Sequence, residues 1–282
     1  MRRLTLIAAA LVAFAAPTLA QDDLRGTVKK IQISWAKVET KSFTINYESV
    51  IPKETVDKIG GELEDILKQY IAIFKTKPDG KLIVKFLDSP NTYKQEGGDQ
   101  SHPGMYIETG TEKFLLIQQM PFYQLVPIVY HEAFHQYLSV YLGDVRAPTW
   151  FNEGMAMYYE GMQRDDRTGK LDPKLINKRK LRMVKDAIRT RQHIPIEKLV
   201  DSTYAQFHEK ETEGLHYASS FALIYFFMQG KGGKVMLAYG KELKKAGDTE
   251  AALEKLFGKK RKKLAKYEKA FKRSMLALPE EE

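Results

Sequence analysis

Cysteine is absent from all 282 residues of the chain, and long apolar runs are nearly absent too. Without cysteine the protein has no disulfides, and it cannot be a lipoprotein anchored through an N-terminal cysteine. Beyond the first twenty residues, no uncharged stretch reaches the roughly 20 residues that a membrane-spanning helix needs. With 43% hydrophobic and 29% charged residues, the chain can still bury a core. The core, together with any bound metal, must therefore hold the fold.

The one long apolar run lies at the start of the chain. Two arginines precede a mostly apolar stretch at 4–16, which Pro17 interrupts, and small residues occupy the −3 and −1 positions up to Ala20. This pattern predicts a secretory signal peptide over residues 1–20, cleaved after Ala20. The mature chain, 21–282, is expected to be exported to the periplasm or the exterior of a bacterium. An uncleaved anchor is the alternative.

The charge balance is basic, with a formal net charge of +9 that falls to +7 once the two arginines of the signal are removed. Such a charge modestly favours anionic partners. The densest basic run is GKKRKK at 258–263. It is either a patch for nucleic acid or membranes, or the exposed first turns of a helix with an apolar opposite face. Export argues against nucleic acid, so we expect no nucleic-acid partner and no stable membrane insertion after signal cleavage.

The order of periodic patterns predicts an α+β fold in one domain, with a β-containing part over 21–120 and a helical part over 121–282. Strand patterns occur at 28–47, 82–86, 105–107 and 114–117. Helical patterns occur at 53–75, from about 122 to Gly143, and at 149–162, 174–190, 213–229, 233–246 and 260–275. Pro127 is expected in the first turn of its helix, where proline is tolerated. The segment 89–103 is predicted to be largely loop.

The stretch VYHEAFHQYL, residues 129–138, carries two histidines four positions apart, with a glutamate directly after the first. Positions i and i+4 share one face of a helix, so His131 and His135 can reach a single zinc ion. Glu132 then flanks the ion and can accept a proton from a water molecule there. The alternative is a core helix with two hydrogen-bonded histidines, because chance produces such a motif in roughly one chain of this composition in a hundred.

A catalytic zinc ion takes three protein ligands, so a third one must lie elsewhere in the sequence. The metzincin pattern requires glycine and histidine where this chain has Leu138 and Tyr141, which excludes that class. The stretch PTWFNEGMAMYYE at 148–160 offers Glu153, eighteen positions after His135. A helix–turn–helix of that length can bring its carboxylate back beside the histidines. Otherwise Glu153 is a solvated helix residue.

The two linked motifs, H-E-x-x-H and then W-x-N-E-G-x-A, resemble the gluzincin clan of zinc metallopeptidases, and most closely its peptidase-MA-like family of exported bacterial proteins. The likeness covers the layout of roughly residues 40–270 but is specific only at 131–135 and 150–156. The second motif is matched in order by Trp150, Asn152, Glu153, Gly154 and Ala156.

The resemblance implies one zinc ion per chain, bound by His131, His135 and Glu153. Glu132 would act as the general base on a water molecule that zinc acidifies toward a pKa near 7. The resulting hydroxide would attack the carbonyl of a peptide or protein substrate. The expected function is therefore that of an exported zinc metallopeptidase. Asn152 is expected to shape the start of its helix or the orientation of a ligand.

The helix expected at 214–230 resembles the one that follows the zinc site in this family, which opens with a tyrosine. Tyr217 is the first candidate for the hydrogen-bond donor to the tetrahedral intermediate, and His216 is the second. The alternative is an ordinary core helix, because apolar residues cover nearly all sides of this segment. The remaining histidines, His102, His193 and His208, are expected to be surface residues.

The segment GMYIE at 104–108 is a candidate for the strand along which gluzincin substrates align by edge pairing, or an ordinary strand. Aminopeptidases of the clan carry G-x-M-E-N there, with a glutamate that holds the free amine of the substrate. This chain lacks that signature, which disfavours an aminopeptidase and leaves an endopeptidase, the preferred prediction, or an unusual exopeptidase. The alternative function is a non-enzymatic envelope protein of the same fold that binds an anionic partner through its lysines. The sequence specifies no oligomeric state.

Overall fold

A computed structural model describes residues 30–100, 102–109, 112–172, 178–231 and 233–279. The predicted signal peptide, 1–20, lies outside these residues. The described residues from 33 to 279 belong to one compact unit. None of the helices in the described part of the chain has the length and apolar character required to cross a membrane.

The first part of the compact unit is built on a five-stranded mixed sheet in the order β1-β2-β3-β5-β4. The central strands β2, β3 and β5 are parallel, and the two edge strands, β1 and β4, run antiparallel to their neighbours. The strands are β1 (Trp35–Glu39), β2 (Phe43–Glu48), β3 (Leu82–Leu87), β4 (Gly104–Glu108) and β5 (Lys113–Gln118). In β2 every second residue is buried, as expected for a strand with one face on the core.

Helices dominate the rest of the chain, which confirms the predicted α+β class. The helices are α1 (Lys53–Phe74), α2 (Pro90–Gln95), α3 (Phe122–Leu142), α4 (Thr149–Glu160), α5 (Lys178–Arg189), α6 (Ile196–Val200), α7 (Tyr204–Phe207), α8 (Glu213–Lys231), α9 (Lys234–Ala246), α10 (Thr249–Phe257) and α11 (Leu264–Ala277). A short hairpin, β6 (Gln163–Arg164) and β7 (Leu171–Asp172), precedes α5, and a 3-10 turn, Lys259–Arg261, precedes α11.

Two local predictions differ from the structure. Proline 127 lies inside α3 rather than in its first turn, so that prediction is wrong. The proline removes one helical hydrogen bond, to the carbonyl of Tyr123, and this residue is exposed enough for water to take over. The segment predicted as loop contains α2, whose start is fixed by a capping box between Ser89 and Thr92 and by a proline at its first position.

The helix that carries the histidine motif, α3, is held against α1 by aromatic residues. The hydroxyl of Tyr70 on α1 donates a hydrogen bond to the backbone carbonyl of Tyr130, the residue before His131. The Tyr70 ring also packs against Phe134 and Tyr159, with centroids 5.4 and 4.5 Å away. Because these rings are fully buried, they fix the depth and rotation of α3 beneath the sheet.

The helices α4 and α8 approach each other closely at Gly154. A Cβ atom at this position would lie 2.7 Å from the backbone oxygen of Ser220 and 2.8 Å from Cγ1 of Ile224. Only glycine allows this separation without a shift of backbone. The glycine of the W-x-N-E-G motif therefore sets how near α8 lies to the residue before it, Glu153.

Candidate metal centre

The two histidines of the motif lie on one face of α3. Their ring centroids are 4.8 Å apart, as the i, i+4 spacing on a helix requires. The residues on the other faces of this turn, Val129, Tyr130, Ala133 and Phe134, are buried in the core. That burial fixes the rotation of the helix, so both imidazoles point away from the core and toward α4.

Glu153 reaches the histidines from α4. Helix α3 ends at Leu142, the next residue, Gly143, has a φ of 68° that reverses the chain, and Pro148 precedes α4. One carboxylate oxygen of Glu153 lies 3.5 Å from Nε2 of His131, and the other lies 3.7 Å from Nε2 of His135. The three side chains are only 12–16% exposed. The structure thus brings together the three residues that the sequence singled out as metal ligands.

Either of two glutamates can complete a three-ligand site with the histidines. The ligand atoms of His131, Glu132 and His135 lie within 4.8 Å of one another, but Glu132 already accepts a hydrogen bond from the backbone of Tyr106. Glu153 is better placed, because zinc bonds of roughly 2.0–2.1 Å at tetrahedral angles separate two ligand atoms by about 3.3 Å. Two imidazoles and a carboxylate are also a donor set found in catalytic zinc sites, so these residues fit the ion.

Each histidine also forms a hydrogen bond through its second ring nitrogen, Nδ1. Nδ1 of His131 lies 2.9 Å from Oε2 of Glu160, and Nδ1 of His135 lies 2.9 Å from Oδ1 of Asn152. Both partners accept, so each Nδ1 carries a hydrogen and each Nε2 faces Glu153, where a neutral imidazole presents its lone pair. Such support fixes the orientation of an imidazole and strengthens it as a metal ligand.

Glu160 was not predicted from the sequence. This residue lies seven positions after Glu153, which is two turns along the same face of α4. The spacing is the signal that could have found it, once Glu153 had been assigned as a ligand. Asn152, which was expected to shape the helix start or orient a ligand, fulfils the second role on His135.

The electrostatics of the site call for positive charge between the three ligands. Burial lowers the pKa of His131, but hydrogen bonds with Glu153 and Glu160 outweigh it and raise this pKa to about 10. Burial raises the pKa of Glu153, yet the charges of His135 and His131 lower it to about 2. An ionised Glu153 and two imidazole nitrogens would repel one another unless positive charge lies between them. Protons on the imidazoles can supply that charge, and so can a single dication bound to all three groups.

A lysine from α5 stands behind Glu160. Nζ of Lys180 lies 3.8 Å from the carboxylate oxygen that His131 also contacts. Burial raises the pKa of Glu160, but the hydrogen bond from His131 and the charge of Lys180 keep it below its usual range. Glu160 therefore stays ionised and remains an acceptor for the imidazole.

Glu132 faces the edge strand β4. Its Oε2 accepts a hydrogen bond of 3.0 Å from the backbone N–H of Tyr106. A Cβ atom at Gly104 would lie 2.4 Å from Cγ2 of Ile128 and 3.1 Å from Cγ of Glu132. The absence of a side chain at Gly104 thus lets the strand come close enough to α3 for this bond to form.

An aromatic cluster from α7 and α8 lies near Glu153. The Tyr217 ring packs edge-on against Phe207, with centroids 5.1 Å apart, and lies 5.9 Å from the ring of His208. Burial, and then the charges of Glu153 and Glu213, raise the pKa of Tyr217. The phenol therefore stays protonated and can donate a hydrogen bond beside the ligands.

His208, expected at the surface, belongs to this cluster. Its Nδ1 lies 2.9 Å from Oε1 of Glu213. The charge of His208 is also among the causes that lower the pKa of Glu153. The ring of Tyr204 lies 4.3 Å away. With Nδ1 donating to the carboxylate, Nε2 forms no hydrogen bond within the described residues, and this nitrogen can donate when the imidazole is protonated, which makes His208 an alternative candidate donor. Sequence spacing could not reveal it, because α7 and its turn are too short to show a period.

The other histidines are occupied elsewhere. His216, the second candidate donor from the sequence, is buried with its Nδ1 3.1 Å from the backbone oxygen of Thr212. His102 is exposed and lies 3.7 Å from Asp99. Nε2 of His193 contacts Glu268 at 3.2 Å. A structural role therefore fits His216 better than donation to a substrate.

Residues 125–246 match a family model described as a protein of unknown function (DUF1570). The match covers less than half of the chain, from early in α3 to the end of α9. It includes all the candidate site residues on these helices but neither strand β4 nor α11. Among curated proteins, no match is found. That description names no activity, so a function can be inferred only from the geometry of the site.

Proposed function

We propose that this chain is a zinc-dependent metallopeptidase of the gluzincin type, exported after cleavage of its first twenty residues. The observation that carries the proposal is the convergence of two Nε2 atoms and one carboxylate at 3.5 and 3.7 Å. His131, His135 and Glu153 would hold one zinc ion. Bound zinc supplies Lewis acidity, which makes water a stronger acid and a carbonyl a better electrophile.

Glu132 is the general base of the proposed reaction. Its carboxylate adjoins His131 and acts on the charge of that imidazole. One oxygen is engaged by the N–H of Tyr106, which orients the group, and the other can accept a proton from the attacking water. The same carboxylate then delivers that proton to the leaving amine. A positioned base of this kind contributes roughly 10²–10⁴-fold to the rate.

Tyr217 is the proposed donor to the oxygen that gains negative charge in the transition state. Its hydroxyl stays protonated because burial and nearby carboxylates raise its pKa. Removing one such donor costs roughly 10²–10³ in kcat. Tyr217→Phe should therefore keep the metal and lose most activity. If Tyr217→Phe keeps full activity while His208→Gln loses it, the donor is His208.

The substrate of the proposed enzyme is a peptide or protein in extended conformation. Strand β4 is an edge strand, and the N–H of Tyr106 points away from β5, so the carbonyl of that residue points to the same side. Because the N–H of Tyr106 is bound to Glu132, the carbonyl is the group that can accept a hydrogen bond from a substrate backbone. Glu108 is bound by Nζ of Lys113 at 2.7 Å and by Ser139 at 3.1 Å. That engagement makes it unsuited to hold a free amine, which favours an endopeptidase.

A peptide-library digest followed by mass spectrometry tests the proposal. Four samples are compared, namely wild type, wild type with chelator, Glu132→Gln, and Glu211→Gln as a control at an exposed glutamate. We expect cleavage only in the first and last samples, with about one zinc per chain in Glu132→Gln.

The absence of stoichiometric metal in the purified protein would refute the proposal at its root. Metal binding without cleavage of any peptide would favour the alternative, a non-enzymatic envelope protein of this fold. In that case Glu132→Gln would have no measurable effect.

A further inference from the structure

The net charge of the chain resides in its last helices. Residues 233–279 contain 14 lysines and arginines against five acidic residues, so this segment alone accounts for the net +9. The remaining residues sum to zero. In the sheet and α1, lysines such as Lys53, Lys68 and Lys81 pair with carboxylates at 2.7 Å. In residues 233–279 the structure shows such pairs only for Arg261 and Lys272.

Four of these basic residues form one stripe along α11. Lys266, Lys269 and Arg273 follow the i, i+3, i+7 spacing of a single helical face, and all are exposed. Lys262 extends the stripe by one turn, because its backbone and that of the next residue are already helical, and it is exposed as well. Within the described residues, none of the four has a carboxylate partner. We call these four residues the basic stripe.

The opposite face of α11 fixes the stripe toward solvent. Phe271 and Met275 are buried, and Leu264 and Tyr267 pack partly against the core. The Phe271 ring meets Phe226 of α8 edge-on at 5.9 Å. On a helical projection this apolar face is centred directly opposite the stripe. The four charges are therefore held in a row on a rigid element rather than spread over a flexible tail.

The stripe does not serve the stability of the helix. Like charges three or four positions apart destabilise a helix, and the stripe contains three such pairs in succession. Two of its members, Lys262 and Lys266, also stand at the N-terminus of α11, where the helix dipole disfavours cations, and the first turn has no acidic residue. A feature that works against folding in two ways is better explained by binding of an anion.

We infer that the basic stripe docks the protein on an anionic lipid bilayer surface. The outward face consists mostly of lysine, which acts as a hydrated point charge suited to diffuse attraction. It has no aromatic side chain that could stack on bases, which single-stranded nucleic acid would require. Leu276, 41% exposed on the same side, can contact the boundary between headgroups and acyl chains. Helix α11 would lie flat along the membrane for about 20 Å.

Vesicle sedimentation tests the inference with the full chain throughout. Vesicles of pure phosphatidylcholine are compared with vesicles that contain phosphatidylserine as well. The test variant carries K262Q, K266Q, K269Q and R273Q. The control carries K41Q, K77Q, K94Q and K198Q, which removes the same charge from exposed lysines elsewhere. Any apolar attachment through the first residues contributes equally to all samples, and the neutral vesicles measure it.

Wild type and control are expected to bind the anionic vesicles, less so at high salt, and the stripe variant should bind about a thousandfold more weakly. Thermal melting of all three should show folded proteins. The inference is overturned if wild type ignores anionic vesicles, or if both variants lose binding equally. It is also overturned if wild type binds an oligonucleotide and not the vesicles. None of these outcomes bears on the metal site, because the stripe contains none of its residues.

Discussion

Helices α3 and α11 use their polar side chains in opposite ways. On α3, His131, Glu132 and His135 are largely withdrawn from water, and each has a partner on another element. On α11, the polar side chains of the basic stripe point outward and have no carboxylate partner in the described chain. A polar group that is buried must be satisfied within the fold, whereas an exposed one is free to meet an external partner. Changes on α3 should therefore disturb the protein itself, and changes on the stripe of α11 should chiefly disturb what it binds.

The largest expected effect is the loss of the metal when Glu153 is changed. Glu153→Gln removes the only negative charge among the three ligands, so zinc affinity should fall by more than about a hundredfold. Metal content after dialysis measures this directly. Added zinc should raise the melting temperature of the wild type but not that of the variant. A variant that retains stoichiometric zinc would contradict the assignment and favour Glu132 as the third ligand.

A smaller loss is expected when the groups behind the histidines are changed. Asn152→Ala and Glu160→Ala should each lower zinc affinity by roughly 10–100-fold, because the imidazole loses the acceptor that orients it. Competition with a chromophoric chelator gives the affinities. Asn91→Ala, at an exposed position of α2, is the control and should leave the affinity unchanged. Equal affinities in all three variants would mean that these contacts do not support the ligands.

Two glycines provide a test of packing around the site. Gly154→Ala places a methyl group against the backbone of Ser220 and should lower the free energy of unfolding by about 1–3 kcal/mol. Gly61→Ala meets no atom within 4 Å in the middle of α1 and should raise it by roughly 0.5–1 kcal/mol. Urea denaturation of the protein without metal measures both. If Gly154→Ala is as stable as the wild type, α4 and α8 can separate at little cost.

The smallest expected effect concerns the stability of α11. Replacing Lys266 and Lys269 with glutamine removes like-charge pairs and should raise the free energy of unfolding by a few tenths of a kcal/mol. The gain should vanish at about 1 M salt, where charges beyond roughly 3 Å are screened. A loss of stability at low salt would show that the stripe supports the fold, and the contrast with α3 would no longer hold.

Long amphipathic segments were predicted well from the sequence. The apolar spacing of α1 places eight buried residues on one face over 22 positions, a signal too strong to arise from local noise. Short elements were missed, since α6 and α7 have five and four residues and the strands β6 and β7 have two each, too few to show a period. The two adjacent glycines in α1 have different surroundings. Gly60 is packed against Thr40, whereas Gly61 faces open space.

The sequence by itself determined that His131 and His135 share a face and that a carboxylate follows at the distance of a helical hairpin. Those facts depend on local helical geometry, which spacing alone specifies. Only the tertiary structure decided that Glu153 faces both Nε2 atoms, that Glu160 supports His131, and that β4 reaches Glu132. These contacts join elements far apart in the chain, and their distances are set by packing at Gly154 and Gly104 rather than by any periodic pattern.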